Sequence, residues 1–344
     1  MTQAVLVTGG GGVGKTTIAA AIGIAAAESG RRTLVLTVDP AKRLATALGL
    51  AELGNHPEPN PDLELLSAAM LDSAASWDAI AYRHAPPEVA DRLVTNPLFE
   101  AVASRFPSGQ AYAAAEEMAV HLESGEWDVV VVDTPPASGG IEFFSAPARM
   151  QELVGGRLLR WLTGARLPGR RGLFNLAARP ALRLADALLG GPLLEQVAEF
   201  LFDLRTTYDG ITAKAAAIEA HFAAAIDVVV TTADPGPVRE ALRFHAAGIE
   251  PEVVVFNRAL PTSWAEPVEP LDNGRAGARL NHNLDRWASE VRRQQDARAD
   301  FGGRVGTPVH TIPWLADPPV NLDGLRALLE GSGLSMAALG LADA

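Results

Sequence analysis

Short, continuously apolar runs punctuate the chain at Ala4–Val7, Thr33–Val38, Val129–Val132, Asp227–Thr231 and Val253–Phe256. They are rich in β-branched residues and do not alternate apolar with polar, the pattern of strands buried on both faces. Val309–Ile312 adds a sixth run, and Leu63–Leu66 is a candidate edge strand. Helical segments separate the runs, which predicts βαβ crossovers and an α/β fold with a doubly wound parallel sheet covered on both faces. The first crossover helix is predicted from Lys15 to about Glu28, where the chain is Ala-rich. Gly30 sits where a helix C-terminus favours a left-handed residue.

Two stretches break this rhythm. Residues from about 72 to 126 and from about 147 to 225 are rich in Ala, Leu and Arg, with apolar residues at helical spacing. They predict a helical subdomain inserted around the third strand of one domain spanning residues 1–344. From Pro261 to Gly306 the composition turns polar, and the expectation is a loop followed by an exposed helix over about Leu284–Phe301.

Directly after the first strand, Gly9-Gly10-Gly11-Gly12-Val13-Gly14-Lys15-Thr16 satisfies G-x-x-x-x-G-K-[ST]. Such a loop lets several backbone N–H groups face one point and cradle phosphates, with the positive end of the following helix aimed at the same anion. Lys15 is placed to reach the β- and γ-phosphates, and the Thr16 hydroxyl to coordinate Mg²⁺. Gly10 through Thr16, with the adjacent Thr17, are the candidate phosphate-contacting residues. The motif follows a predicted strand and opens a predicted helix, as a phosphate-binding loop must.

Mg²⁺ needs further oxygen ligands. Asp133 closes the run from Val129 and precedes Thr134-Pro135-Pro136, at a carboxyl strand end, where open α/β sheets bind ligands. Its alternative is an ordinary turn aspartate. Asp39 ends the second strand on the same edge and is placed to orient an attacking water. Its alternative is helix initiation before Pro40. Thr16, Asp39 and Asp133 are the candidate metal ligands, with Lys15, Asp39 and Asp133 the candidate catalytic set. No N-K-x-D tetrad for guanine is present: Thr231-Thr232-Ala233-Asp234 and Asn257-Arg258-Ala259-Leu260 lack the Lys or the Asp. That favours ATP, with Asn257 able both to donate to and to accept from an adenine edge.

Composition narrows the alternatives. The net charge is −12, from 29 Lys and Arg against 41 Asp and Glu, which argues against nucleic acid as the main partner. There are no cysteines, so thiolate metal sites, disulfides and cysteine nucleophiles are excluded. No apolar run reaches the length of a membrane span and the start lacks a secretion signal, so a cytoplasmic protein is expected. From Arg149 to Arg183 there are eight Arg and one acid, Glu152, on interleaved Leu: solvated helix faces, or a surface for an anionic membrane or acidic partner. His84, His121 and His245 show no metal-ligand spacing, and Glu116-Glu117 is expected on a helix exterior.

Taken together, Val5–Thr17, Leu36–Leu48, Asp133-Thr134-Pro135-Pro136, Asn257 and Pro313 resemble, in order and spacing, the arsenical pump-driving ATPase family, which includes the ATPase that targets tail-anchored proteins to membranes. Asn96–Asp133 is most similar to the actinobacterial branch. The resemblance implies that ATP and Mg²⁺ are bound and that the nucleotide lies at a dimer interface. Asp39-Pro40-Ala41 then matches switch I, and Asp133-Thr134-Pro135-Pro136 switch II. Asn257 and the loop Pro313-Trp314-Leu315 match adenine-contacting positions, and the helical insert matches a subdomain that forms a client groove for a protein or membrane substrate.

Three departures qualify this. The family's signature Lys, which reaches the partner's nucleotide across the dimer, is replaced by Gly10. The absence of Cys removes both an arsenite site and the Cys-x-x-Cys zinc clamp. The segment Ala137-Ser138-Gly139-Gly140 lacks the His found in many relatives. The leading expectation is therefore a dimeric nucleotide switch that hydrolyses ATP. The alternatives are a non-hydrolysing subunit paired with a paralogue that keeps the lysine, and a small-molecule kinase on the same loop.

Overall fold

The computed structural model describes residues 2–38, 43–105, 107–135, 137–155, 191–270 and 274–341. The chain divides into two compact units, Met1–Leu71 with His121–Ile141 and Ala224–Ala344 as the first, and Asp72–Val120 with Glu142–Ala223 as the second.

The first unit carries the sheet. Its strands are β1 (Gln3–Gly9), β2 (Thr33–Thr37), β3 (Glu58–Pro59), β4 (Leu66–Met70), β5 (Val129–Asp133), β6 (Ile226–Thr231), β7 (Val253–Ala259) and β8 (Val309–Pro313). Among the described residues they form one eight-stranded sheet in the order β3-β4-β2-β5-β1-β6-β7-β8. Every pairing is parallel except β3 with β4. Because β1 lies between β5 and β6, its carboxyl end opens where successive crossovers diverge, the position at which doubly wound sheets bind ligands.

Alternate residues on the strands serve opposite layers. Val5, Val7, Val129, Val131, Val228 and Val230 pack on one face with α1 (Lys15–Glu28), while Val229, Val254 and Phe256 pack on the other with Phe301. Each such side chain taken fully out of water contributes roughly 1.5–3 kcal/mol. Helix α1 is buried on nearly every side, which its Ala content permits. It ends as a glycine-terminated cap should: the Arg31 amide donates to the Ala26 carbonyl and that of Gly30 to Ala27, with Gly30 at φ 89°.

The edge strand expected at Leu63–Leu66 begins instead at Leu66 and runs to Met70, one place in from the edge. Ser67, Ala68 and Ala69 have little strand propensity, so tertiary packing rather than local preference makes this strand. Beyond α2 (Arg43–Ala47), the other correction falls late in the chain. The helix expected over Leu284–Phe301 starts ten residues earlier, at Gly274, and continues to Val305. Leu280, Leu284, Trp287 and Val291 keep helical spacing through a segment whose polar composition reads as loop.

The second unit is helical. It contains α3 (Ser73–His84), α4 (Pro87–Val94), α5 (Pro97–Arg105), most of α6 (Pro107–Glu123) and α7 (Ala137–Gly155), α8 (Gly191–Thr206) and α9 (Tyr208–Ala223). Most of the Arg-rich stretch expected between Arg149 and Arg183 lies outside the described residues. The Trp77 ring meets Phe99 edge-on at 5.8 Å and Tyr112 at 6.1 Å. Arg92 grips Asp203 through two hydrogen bonds of 2.9 and 2.6 Å.

Glu116, expected on a helix exterior, is fully buried. Its helix α6 is enclosed around most of its circumference, with Ala111 through Ala115, Met118 and Ala119 all buried. Arg83 donates to Glu116 (2.5 Å) and Glu117 (3.0 Å), and the His84 ring nitrogen lies 2.8 Å from the same Glu116 oxygen. Burial pushes the Glu116 carboxyl up, and hydrogen bonds from His84, Tyr112 and Arg83 outweigh it and hold the group below its ordinary range.

Two predictions follow from these buried charges. Glu116→Ala takes from Arg83 and His84 their shared buried acceptor, leaving Arg83 only Glu117, and is expected to cost about 3 kcal/mol in denaturant unfolding, while the double variant Arg83→Met, Glu116→Leu recovers most of that loss. The second concerns Asp227 at the start of β6, whose Oδ1 is enclosed without a hydrogen-bond partner. Burial, then the neighbouring Glu252 carboxylate, push its pKa up to about 7. A raised carboxyl pKa means the folded protein holds a proton that the unfolded chain releases, so this group's contribution falls as pH rises from about 4 to about 7. Asp227→Asn should therefore stabilise by on the order of 1–3 kcal/mol at pH 8 and by much less at pH 5. Equal effects in melts at both values would show an ordinary carboxyl.

Candidate nucleotide-binding site

The loop between β1 and α1 is built from the core outward. Val13 is buried among the residues under the sheet, while Gly11 and Gly12 are exposed, so the loop is pinned at one point and open at its crest. Gly14 caps α1 at φ 100°, a conformation that disfavours side chains, and its amide-rich turn opens the helix. A methyl group there would also overlap the Asn257 amide. Lys15 is buried and its ammonium donates to the Gly10 carbonyl at 2.9 Å. The side chain thus curls back over the loop, into the space that a cradled anion would share. Thr17 is half-buried on the first turn.

Next to it, Thr16 and Asp133 meet. The Thr16 hydroxyl donates to Asp133 Oδ2 at 2.7 Å, and the Thr37 hydroxyl donates to the same oxygen at 3.0 Å. Parallel register explains the meeting, since Val7, Thr37 and Asp133 lie side by side on β1, β2 and β5. Thr37 was not singled out from sequence; its signal is its place two residues before Asp39 at the strand end. Asp39, with Pro40 and Ala41, lies outside the described residues, as does Pro136.

The donors present suit a hard divalent ion: one hydroxyl and one carboxylate at hydrogen-bond distance, beside a loop whose ligand would bring phosphate oxygens. Among the described residues there is no cluster of three or more His, Asp or Glu able to hold a metal by itself. A cation here would be shared between the chain and a phosphate, as magnesium usually is.

Asn257 has a role that its sequence position does not disclose. Its amide nitrogen donates to the Val13 carbonyl at 2.8 Å, and its oxygen accepts from the Arg258 amide at 2.9 Å. It straps the end of β7 to the phosphate loop. The next residue, Arg258, has φ 59°, unusual for a side-chain-bearing residue and costing about 1 kcal/mol. It coincides with a register shift between Phe256 and Ala259. Pro313 ends β8, and the Trp314 amide donates to the Ala259 carbonyl at 2.8 Å, so the loop Pro313-Trp314-Leu315 stands on the same sheet edge. Trp314 and Leu315 are exposed, and Trp314 leans on Trp264 at 6.2 Å, which in turn meets Trp287 at 5.6 Å.

Comparison with known proteins accords with this geometry. The profile of the anion-transporting ATPase family matches residues 2–276. An uncharacterized protein of Streptomyces coelicolor, SCO2128, is 30% identical over 295 residues, covering 83% of this chain and 69% of its own. A putative arsenical pump-driving ATPase of Aquifex aeolicus is 23% identical over 339 residues, covering 95% of this chain and 77% of its own. The ATPase get3 of Schizosaccharomyces pombe is 28% identical over 155 residues, covering 44% and 45%. With the family profile spanning most of the sequence, and the phosphate loop seated between β1 and α1 of a doubly wound sheet, the chain belongs to the anion-transporting ATPase family.

Proposed function

We propose that this protein is a magnesium-dependent ATP hydrolase that works as a nucleotide switch in a dimer. The observation that carries the reading is the Thr16–Asp133 contact at 2.7 Å, immediately beside a glycine-rich loop with a buried lysine. Phosphoryl transfer asks a protein mainly for positioning and charge stabilisation. Gly10 through Thr16 would hold the phosphates by backbone amides, and Lys15 would leave the Gly10 carbonyl to meet the terminal phosphates. Thr16 and Asp133 would hold Mg²⁺, which supplies charge neutralisation on the β- and γ-oxygens. Asp39, by its place at the end of β2, would hold the attacking water. Release of the γ-phosphate would free the segments around Asp39 and Asp133, which follow β2 and β5 in the sequence.

Association is supported by the surface. Among the described residues ten large hydrophobic side chains are exposed, and eight of them lie between Trp264 and Val320: Trp264, Val268, Leu280, Leu284, Trp287, Trp314, Leu315 and Val320. Apolar residues gathered in this way mark association surfaces. The helical unit is the proposed client-handling part, by the family likeness alone. Among the described residues no helix is long and apolar enough to cross a membrane.

A second reading, a non-hydrolysing ATP-binding subunit of a heterodimer, is favoured by one observation: Gly10 brings no cation to the loop. Phosphate release from Mg²⁺-ATP separates the two. The first reading predicts turnover that falls by about a hundredfold or more in Lys15→Ala and Asp133→Asn, with ATP favouring the dimer in light scattering. ATP binding without turnover, in the chain alone, would reject it in favour of the second. If Asp39→Asn then left the turnover of an assembled heterodimer unchanged, hydrolysis in this chain would not drive that complex.

A further inference from the structure

The phosphate loop has an acidic neighbour that neither the motif nor the family likeness accounts for. Helix α10 (Pro235–Ala246) follows β6, and Glu240 on it is half-buried with its carboxylate against Gly10. A methyl group on Gly10 would overlap Glu240 Oε2. Gly10 lies outside the positive-φ glycines, and the flexible end of Glu240 would have to shift to admit a side chain there. Glu240 makes no hydrogen bond or ion pair with any described residue, although Arg239 and Arg243 stand on the same helix.

The location decides what such a charge can do. The Gly10 carbonyl is the one that holds the Lys15 ammonium, at 2.9 Å. Lys15 is the group that serves the terminal phosphates in a loop of this type. A carboxylate touching Gly10 therefore faces the γ-phosphate end of the cradle more than the α-phosphate end. Two like charges several ångströms apart at a protein surface repel enough to change an equilibrium by about tenfold. Resting on the ATPase reading above, we infer that Glu240 is a specificity-determining residue: it lowers the loop's preference for a terminal phosphate.

The test is nucleotide affinity in the intact chain with Mg²⁺, measured for ATP and ADP by titration calorimetry. Glu240→Gln keeps the shape and removes the charge, and is expected to tighten ATP by about tenfold and ADP by less than about threefold. Glu240→Ala, a favourable helix substitution at a half-buried position, should reproduce that change, and Glu240→Lys should exceed it. Lys15→Ala, expected to abolish binding of both, confirms that the phosphates occupy the loop. If wild type and Glu240→Gln show the same ratio of ATP to ADP affinity, the inference is overturned while the ATPase reading stands. If the wild-type chain binds neither nucleotide, both fall.

Discussion

One carboxylate oxygen, Asp133 Oδ2, receives hydroxyls from two other segments: Thr16 from the first turn of α1 and Thr37 from the end of β2. That convergence fixes the spacing of three adjacent strand ends around the phosphate loop. It depends on parallel register, in which Thr37 and Asp133 end β2 and β5 level with Val7, two residues before β1 ends. A slip of one residue in β5 would turn Asp133 to the opposite face and place the buried Val132 in its position. The run of four valines before Asp133 makes such a slip cheap in strand propensity. It is the hydroxyl pair, together with Thr134 donating to the Val7 carbonyl, that gives the run a single register.

The sequence and the structure agree where chemistry is local. Lys15 through Glu28 reads as a helix because its glycine caps and Ala content speak for themselves, and the apolar runs become strands within three residues at either end. Disagreement falls where the deciding interaction is remote. Leu66–Met70 is a strand because β2 pairs with it, not because Ser and Ala favour strands. Glu116 and His84 lie 32 residues apart, so nothing near either of them announces a buried ion cluster. Asn257 shows the same limit at the site: its place at a strand end is legible, but its hydrogen bond to Val13, 244 residues away, is not.

Charge organises the two units differently. In the helical unit, acids and bases are matched: Glu116 and Glu117 with Arg83, and Asp203 with Arg92. Such pairs give specificity to helix packing at modest net stability. Near the phosphate loop, Glu240 stands against Gly10 with no hydrogen bond or ion pair to any described residue.

The nearly total burial of α1 has a thermodynamic consequence of its own. The helix that presents the loop is part of the core, and Asn257 and Val13 hold the loop to it before any ligand arrives. Little of the loop between β1 and α1 remains to be ordered on binding, and little apolar surface is left in it to bury. The heat capacity of association at this loop should accordingly be small, with enthalpy from amide–phosphate hydrogen bonds carrying the affinity.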